Sequence, residues 1–208
     1  MAKSGRIWYL VALGIALLII VLIVILLGPG GGPLDLLIRA AAMLGISGVF
    51  MAALSSIYIR ELTRFFGTPF IKLHHYVAVT ALILLTVHPL GVAIRSGTLA
   101  VFVPDVGSWF GFFLFGGRQA WFLLGIAALV ALAAVRRRLP QSWRTIHMLN
   151  YLAFGFGVVH AWLLGTNFQG VAGRIVLVAM AAIIVAAFVV KRRQVARVRA
   201  RSRQGRGR

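Results

Sequence analysis

The chain has 208 residues, of which 61% are hydrophobic and 12% are charged, and its mean hydropathy is +0.97. A water-soluble fold of this size cannot bury so many apolar side chains, so an ordinary soluble domain, a disordered chain and a fibrous repeat are excluded. The 22 basic residues far outnumber the 3 acidic ones. The absence of cysteine excludes disulfides, thiolate metal sites, iron–sulfur clusters and covalent c-type haem attachment.

Six apolar stretches are long enough to cross a bilayer, which takes about 20 residues per helix. In chain order they are residues 7–27, 37–59, 73–94, 119–135, 146–164 and 171–190, and the fourth is short. Glycine- and proline-containing connections separate several of them. The sequence therefore predicts an all-α, six-helix transmembrane bundle over residues 1–190, followed by a basic, disordered tail over residues 191–208.

The basic residues indicate which side of the membrane each connection faces. With six spans, 18 of the 22 basic residues lie on the side of the two termini. The remaining four are Arg39, Arg95, Arg118 and Arg174. By the positive-inside rule, this bias predicts that both termini are cytoplasmic. The charge excess is then a topology signal with a lipid-facing basic tail, and nucleic acid is not an expected partner.

The first apolar run follows Lys3 and Arg6, a pattern that a signal peptide shares. The run is too long for a typical signal peptide and no small-residue cleavage site follows it, so we expect an uncleaved first helix. The longest connection, residues 95–118, contains an aromatic segment at residues 106–115. This segment is expected either to lie at the membrane interface or to pack over the helix ends.

The histidines are the intramembrane polar residues that indicate chemistry, because the three acidic residues fall in loops or at a helix end. All five lie in the third and fifth spans, which run parallel. His74, His75 and His147 lie near the cytoplasmic face, and His88 and His160 lie toward the outer face. The two levels are about 20 Å apart along each helix. Such an arrangement suits two haems stacked across the membrane, with each iron taking one imidazole from each helix.

Helical phase distinguishes among these histidines. Fourteen residues at about 100° each bring His88 to within about 40° of His74, so His74 is favoured over His75 as a ligand on that face. Thirteen residues leave His147 about 140° away from His160. This mismatch predicts either a locally distorted fifth helix, for which Gly155 and Gly157 offer flexible positions, or a displaced first turn at His147.

Neighbouring residues are candidates for supporting roles. Phe154 lies about halfway between His147 and His160, where it would fill the gap between two haems or serve as an ordinary packing aromatic. Pro89 either shapes the outer pocket or kinks the helix end. Haem propionates are anionic, so basic residues near the membrane surfaces are candidate contacts for them. The alternative for each of these residues is a role as an interfacial anchor without haem contact. These are Lys72 and Arg144, with Arg64 weaker, on the cytoplasmic side, and Arg95 and Arg118 on the outer side.

Four segments carry a family resemblance: residues 72–79 (KLHHYVAV), 85–90 (LTVHPL), 143–151 (WRTIHMLNY) and 160–162 (HAW). They resemble the ferric reductase-like transmembrane domain superfamily. Its members include NADPH oxidases, ferric-chelate reductases and the haem-binding membrane subunit of a periplasmic methionine sulfoxide reductase system. The resemblance covers residues 37–190. It implies non-covalent haem b, ligated by His74 with His147 and by His88 with His160, and electron transfer from the cytoplasmic to the outer face.

The resemblance also implies separate redox partners. The sequence shows no G-x-G-x-x-G motif after a strand and ends about 18 residues after the last predicted helix, so no flavin or nicotinamide site is expected. We expect an electron-transfer component of an oxidoreductase in a bacterial inner membrane. Its donor would be a flavoprotein reductase or membrane quinol, and its acceptor a ferric chelate, oxygen or a redox protein.

Two other functions stay open at this point. The first is a haem-binding subunit that supplies electrons to a periplasmic reductase such as a methionine sulfoxide reductase, although the presence of His74 and His75 favours the two-haem type. The second is a haem-free transition-metal transporter or scaffold. The lack of intramembrane carboxylates argues against this second alternative.

Overall fold

A computed structural model describes the backbone of residues 3–204 and the side chains of residue 12 and residues 14–197. Within this range the chain forms helices and connections, with no strand. The helices are α1 (Lys3–Leu26), α2 (Pro33–Ile57), α3 (Ile59–Phe66), α4 (Phe70–Ser96), α5 (Trp109–Leu114), α6 (Gly116–Ala131), α7 (Ala133–Arg138), α8 (Trp143–His147), α9 (Leu149–Leu164) and α10 (Val171–Gln204). Two 3-10 turns cover Leu99–Phe102 and Thr166–Phe168. The all-α prediction is therefore confirmed for the described residues.

Four helical segments have both the length and the hydropathy needed to cross a membrane. They are Pro33–Ile57, Phe70–Ser96, Trp143–Leu164 and Val171–Arg197. The first and fourth predicted spans correspond to shorter apolar stretches in the described part of the chain, Gly14–Leu26 and Gly116–Ala131. The 16 residues of α6 extend about 24 Å, less than the roughly 30 Å of a hydrocarbon core. The chain is thus a membrane protein with four candidate spans, and the six-span count stays a prediction.

The last helix extends beyond its predicted end at residue 190. The sequence predicts a disordered tail from that point, whereas α10 continues as a helix to Gln204. The start of the extension is held by Lys191, which donates to Glu61 of α3 and lies 5.6 Å from the centre of the Tyr58 ring. The Lys191 hydrogen bond lowers the pKa of Glu61 below its ordinary value. The backbone of residues 191–204 is thus helical in the described structure, and the disorder of the tail stays a prediction.

Close packing of α2 on α4 forms the centre of the bundle. A Cβ added to Gly45 would lie 2.7 Å from Cγ of Leu85, and one added to Gly48 would lie 2.7 Å from Cβ of Ala81. Small residues at a helix interface let two backbones approach closely. This approach brings carbonyl groups of α2 within reach of the histidine side chains on α4.

We expect Gly48→Ala to destabilise the protein by about 1–3 kcal/mol, because the added methyl group has no room against Ala81. The matched control is Gly14→Ala in α1, where an added Cβ meets no atom within 4 Å. Thermal unfolding in detergent measures both variants. Equal Tm values for the two variants would contradict the close approach of α2 and α4.

The aromatic connection before α6 divides into two parts. Phe112 and Phe113 pack on Phe156 of α9, with ring centroids 5.5 and 6.1 Å apart respectively. Trp109 and Phe110 are instead 81% and 70% exposed. Phe112 and Phe113 thus pack on the middle of α9, whereas Trp109 and Phe110 are exposed, and the interfacial role of the segment stays a prediction.

Candidate functional site

The histidines occupy two levels of the bundle. His88 on α4 and His160 on α9 line one cavity together with Arg95 and Asp35, and we call this region the outer end because the charge distribution predicts that it faces outward. The opposite end of the bundle, which we call the inner end, contains His74 and His147. The helices thus place the four predicted ligands as one pair at each level.

Each of these four histidines directs its ring Nδ1 at a backbone carbonyl of another element. The Nδ1–oxygen distances are 3.1 Å from His74 to Ala52, 3.1 Å from His88 to Ile38, 2.8 Å from His147 to Ala127 and 2.9 Å from His160 to Leu114. A carbonyl only accepts, so Nδ1 donates its proton and Nε2 keeps a lone pair. Among the described residues, none of the four Nε2 atoms has a hydrogen-bond partner. A histidine fixed in this way is ready to bind a metal through Nε2.

His75 differs from its neighbour His74 in its exposure. His74 is buried, with 7% of its surface exposed, and its ring also lies 3.4 Å from Oγ of Ser55. His75 is exposed, and its ring centre is 5.8 Å from that of His74. The structure therefore favours His74 over His75 as a ligand, in agreement with the phase argument.

The inner pair has the separation that a shared metal requires. The ring centres of His74 and His147 are 6.5 Å apart. Bonds between imidazole nitrogen and metal are about 2 Å long and a ring nitrogen lies about 1 Å from its ring centre, so one metal between two opposed rings separates their centres by about 6 Å. The separation of the ring centres is therefore compatible with one metal between the two rings, whose planes are inclined at 75°.

A break in the helix explains how His147 reaches this position. The fifth predicted span consists of α8 and α9, which are separated at Met148. The amide of Met148 is shared between the carbonyls of Arg144 and Thr145, and the amide of Tyr151 bonds to the carbonyl of Met148, three residues earlier. A 3-10 turn advances about 120° per residue instead of about 100°, so this tightening reduces the phase mismatch between His147 and His160. The displaced first turn is thus the alternative that applies, and the distortion lies at Met148 rather than at Gly155 or Gly157.

The outer pair lines a cavity of about 640 Å³. This volume is within the usual range for small-molecule and cofactor sites, about 300–1,000 Å³. The walls are mainly apolar and include the predicted residues Pro89 and Phe154, and Gly157 also borders the space. Phe154 is buried against Phe50, with ring centroids 6.5 Å apart. The cavity thus offers an apolar enclosure around two imidazoles, which fits a haem.

Gly117 of α6 leaves the space that the His160 ring occupies. A Cβ at Gly117 would lie 2.8 Å from Cδ2 and 2.9 Å from Nε2 of His160. No side chain other than hydrogen fits there unless the imidazole moves. This glycine is a site residue that the sequence analysis missed, because only the tertiary packing of α6 on α9 reveals its role.

We expect Gly117→Ala to displace the His160 ring and to weaken ligand binding in the outer cavity. Crowding of this kind costs about 1–3 kcal/mol, which corresponds to about tenfold faster haem loss from this level. Gly125→Ala on the same helix is the control, because a Cβ there meets no atom within 4 Å. Haem loss to an excess of apomyoglobin measures the effect. Equal rates for the two variants would contradict the proposed position of His160.

The basic residues predicted to contact the haem propionates have different surroundings at the two ends of the bundle. At the outer end, Arg95 Nη1 donates to Asp35 Oδ1 at 2.8 Å, and Arg118 Nη1 donates to the Val103 carbonyl at 2.6 Å. At the inner end, Lys72 and Arg144 are exposed, as is the weaker candidate Arg64. The structure brings Arg95 and Arg118 to the lining of the outer cavity.

A third arginine, Arg39, also lines the outer cavity. Its Nε and Nη1 atoms are buried and have no hydrogen-bond partner among the described residues. The sequence analysis counted Arg39 only as an outer-side charge. The sequence feature that could have identified Arg39 as a site residue is its position inside an apolar stretch, where a charged residue indicates function.

Two ligands at each level match the needs of haem better than those of a bare metal ion. Among the described residues, no group of three or more histidine, aspartate or glutamate side chains is arranged so that it could hold a metal ion. A structural zinc ion takes four ligands, whereas haem iron needs only axial ligands from the protein because the macrocycle supplies the others. The donor set therefore fits haem.

The comparison with protein families agrees with this geometry. Residues 38–158 match the model of the ferric reductase like transmembrane component. The chain belongs to this family. The match begins at Ile38, which bonds His88, and it includes His74 and His147. It ends two residues before His160, so it supports the resemblance expected over residues 37–190 only as far as residue 158.

Comparison with curated proteins and with solved structures gives no match. Among these comparisons, the functional indication therefore comes from the family of ferric reductase-like transmembrane components. Membership of this family suggests a role in transmembrane electron transfer.

Proposed function

We propose that this ferric reductase-like protein is a b-type cytochrome that carries electrons across a membrane through two haems. His88 and His160 hold the outer haem, and His74 and His147 hold the inner one. One observation carries the proposal. All four histidines, at two levels, donate Nδ1–H to a backbone carbonyl and keep Nε2 free.

The residues of the chain hold, orient and shield the cofactor. The carbonyls of Ala52, Ile38, Ala127 and Leu114 fix the imidazole rings and make Nε2 more basic. When bound, haem supplies reversible one-electron chemistry at its iron. The mainly apolar walls of the outer cavity limit the access of water to that level. Phe154, which lies on α9 between the two levels, separates the two sites with an aromatic ring.

The proposal includes the topology that the charges predict. Six helices span a bacterial inner membrane, and both termini lie in the cytoplasm. The six helices are α1, α2, α4, α6, α9 and α10. The supporting observation is that 18 of the 22 basic residues lie on one side of such an arrangement. The donor is a separate flavoprotein or a quinol at the inner end, and the acceptor is a ferric chelate, oxygen or a redox protein at the outer end.

The rival functions have less support. A single-haem subunit for a periplasmic reductase needs only the outer pair, whereas the buried His74 and the half-buried His147 are also bonded to carbonyls, with ring centres 6.5 Å apart. A haem-free metal transporter needs charged side chains, or several metal ligands close together, along its pathway. Among the described residues, no group of three or more histidine, aspartate or glutamate side chains is arranged to hold a metal ion.

Electron transfer across vesicles tests the function directly. Ferricyanide is enclosed in proteoliposomes and dithionite is added outside, so that reduction requires electrons to cross the membrane. We expect the protein to reduce the enclosed ferricyanide at least about tenfold faster than protein-free vesicles, since both haem levels together span the bilayer. A rate equal to that of empty vesicles would contradict the proposal.

A further inference from the structure

A serine hydroxyl lies beside one of the four proposed ligands. Oγ of Ser55 on α2 is 3.4 Å from Nδ1 of His74 on α4, and it donates to the Ala52 carbonyl at 2.9 Å. The same carbonyl accepts from Nδ1 of His74 at 3.1 Å. The imidazole and the hydroxyl therefore share one acceptor at the inner level.

The Ala52 carbonyl has limited capacity for two such donors. Ala52 is buried, with 6% of its surface exposed, and it lies within α2. A regular α-helix also directs the amide four residues later, that of Ser56, at this carbonyl. A carbonyl oxygen has two lone pairs. Three donors thus converge on two lone pairs, so the Ser55 bond weakens the bond between Ala52 and His74.

The other three proposed ligands have no such competitor. Their carbonyl partners are those of Ile38, Ala127 and Leu114. Among the residues whose side chains the structure describes, no hydroxyl group donates to these three carbonyls. The inner and outer levels therefore have the same set of ligands and differ in one hydroxyl group beside His74.

The bond at Nδ1 controls how strongly an imidazole donates electrons through Nε2. A strong acceptor at Nδ1 draws the proton away from the ring and makes Nε2 more basic. A more basic ligand stabilises ferric iron relative to ferrous iron, and this lowers the reduction potential of a haem. Because Ser55 occupies part of the Ala52 carbonyl, His74 is a weaker electron donor than it would be without the hydroxyl.

We propose that Ser55 is a positioning residue that raises the reduction potential of the inner haem through His74. This inference rests on the proposed function, because it requires a haem between His74 and His147. Ser55 acts on the ligand and is not a ligand itself. A higher potential at the inner level favours the uptake of electrons from a donor at the inner end.

A redox titration of the purified, haem-loaded protein tests this role. The inner component is identified as the one that His74→Ala lacks. We expect Ser55→Ala to lower the midpoint potential of the inner component and to leave that of the outer component unchanged. Loss of the competing hydroxyl should increase the preference for ferric over ferrous iron about threefold. At about 59 mV per tenfold change for one electron, this corresponds to a fall of about 28 mV.

The adjacent Ser56 provides the matched control. Its hydroxyl also donates to the carbonyl three residues earlier, that of Ala53, at 2.8 Å. Its second contact is Oη of Tyr151 at 2.9 Å, and not a proposed ligand. Ser56→Ala should therefore leave both potentials unchanged. Ser55→Thr keeps a hydroxyl at the tuning position and should restore the wild-type potential.

A second variant covers the loss of haem. If Ser55→Ala does not retain the inner haem, Ser55→Cys replaces it, because a thiol is a weaker donor than a hydroxyl and should lower the inner potential in the same direction. Loss of the inner haem from both variants would overturn the inference, since a purely structural role would then suffice. An unchanged or raised inner potential, or an equal fall in Ser56→Ala, would also overturn it.

Failure of the proposed function has a different result. If the wild-type protein shows no inner component, the two-haem function fails and this inference fails with it. If wild type shows two components and neither potential depends on Ser55, the inference about Ser55 alone is overturned.

Discussion

Replacement of His88 by alanine should remove the outer haem and leave the inner one in place. His88 supplies one of the two axial imidazoles of that level, and its ring is fixed by the Ile38 carbonyl at 3.1 Å. The inner pair is held by different carbonyls, those of Ala52 and Ala127, so its geometry does not depend on His88. Haem content should fall from about two to about one per chain. The pyridine haemochrome assay measures this change.

His160→Ala should have the same effect as His88→Ala, because both remove a ligand of one iron. The double variant should lose no more haem than either single variant, since the two residues act on one site. Transfer of electrons to ferricyanide enclosed in vesicles should fall to the background rate in all three. Full haem content in both single variants would show that the outer ligands are wrongly assigned.

Replacement of His74 by alanine should remove the inner haem, whereas the same change at the adjacent His75 should not. His74 is buried and bonded to the Ala52 carbonyl, while His75 is exposed. The two variants remove the same side chain from neighbouring positions of one helix, so each controls for the other. We expect His74→Ala to retain about one haem per chain and His75→Ala about two.

Reduction potentials sharpen this comparison. A titration of wild type should resolve two b-type components, and His74→Ala should retain the component that His88→Ala lacks. His75→Ala should retain both. If His75→Ala lost the inner component while His74→Ala kept it, the assignment of the inner ligand would be reversed.

The positions of the histidines were largely predictable from the sequence, because helical spacing fixes both depth and phase. The difference of fourteen residues between His74 and His88 placed them on one face, and the structure keeps both in the continuous helix α4. The phase mismatch between His147 and His160 also predicted a distortion. Its location was not predictable, since the 3-10 bonds at Met148 and Tyr151 depend on packing and not on a glycine.

The surroundings of the site could not be predicted from local patterns. The carbonyls that bind the histidines belong to distant segments, such as Ile38 for His88. At the start of the extended part of α10, Lys191 pairs with Glu61, a residue 130 positions earlier in the sequence. Such pairings arise from tertiary packing and leave no periodic signal.

The most direct test of the central claim is the haem content of the purified wild-type protein, produced in cells supplied with haem. A dithionite-reduced minus oxidised spectrum, with haem quantified per chain, tests whether the two histidine pairs each hold one haem. The account predicts a b-type spectrum with about two haems per chain. A colourless protein without haem would contradict it.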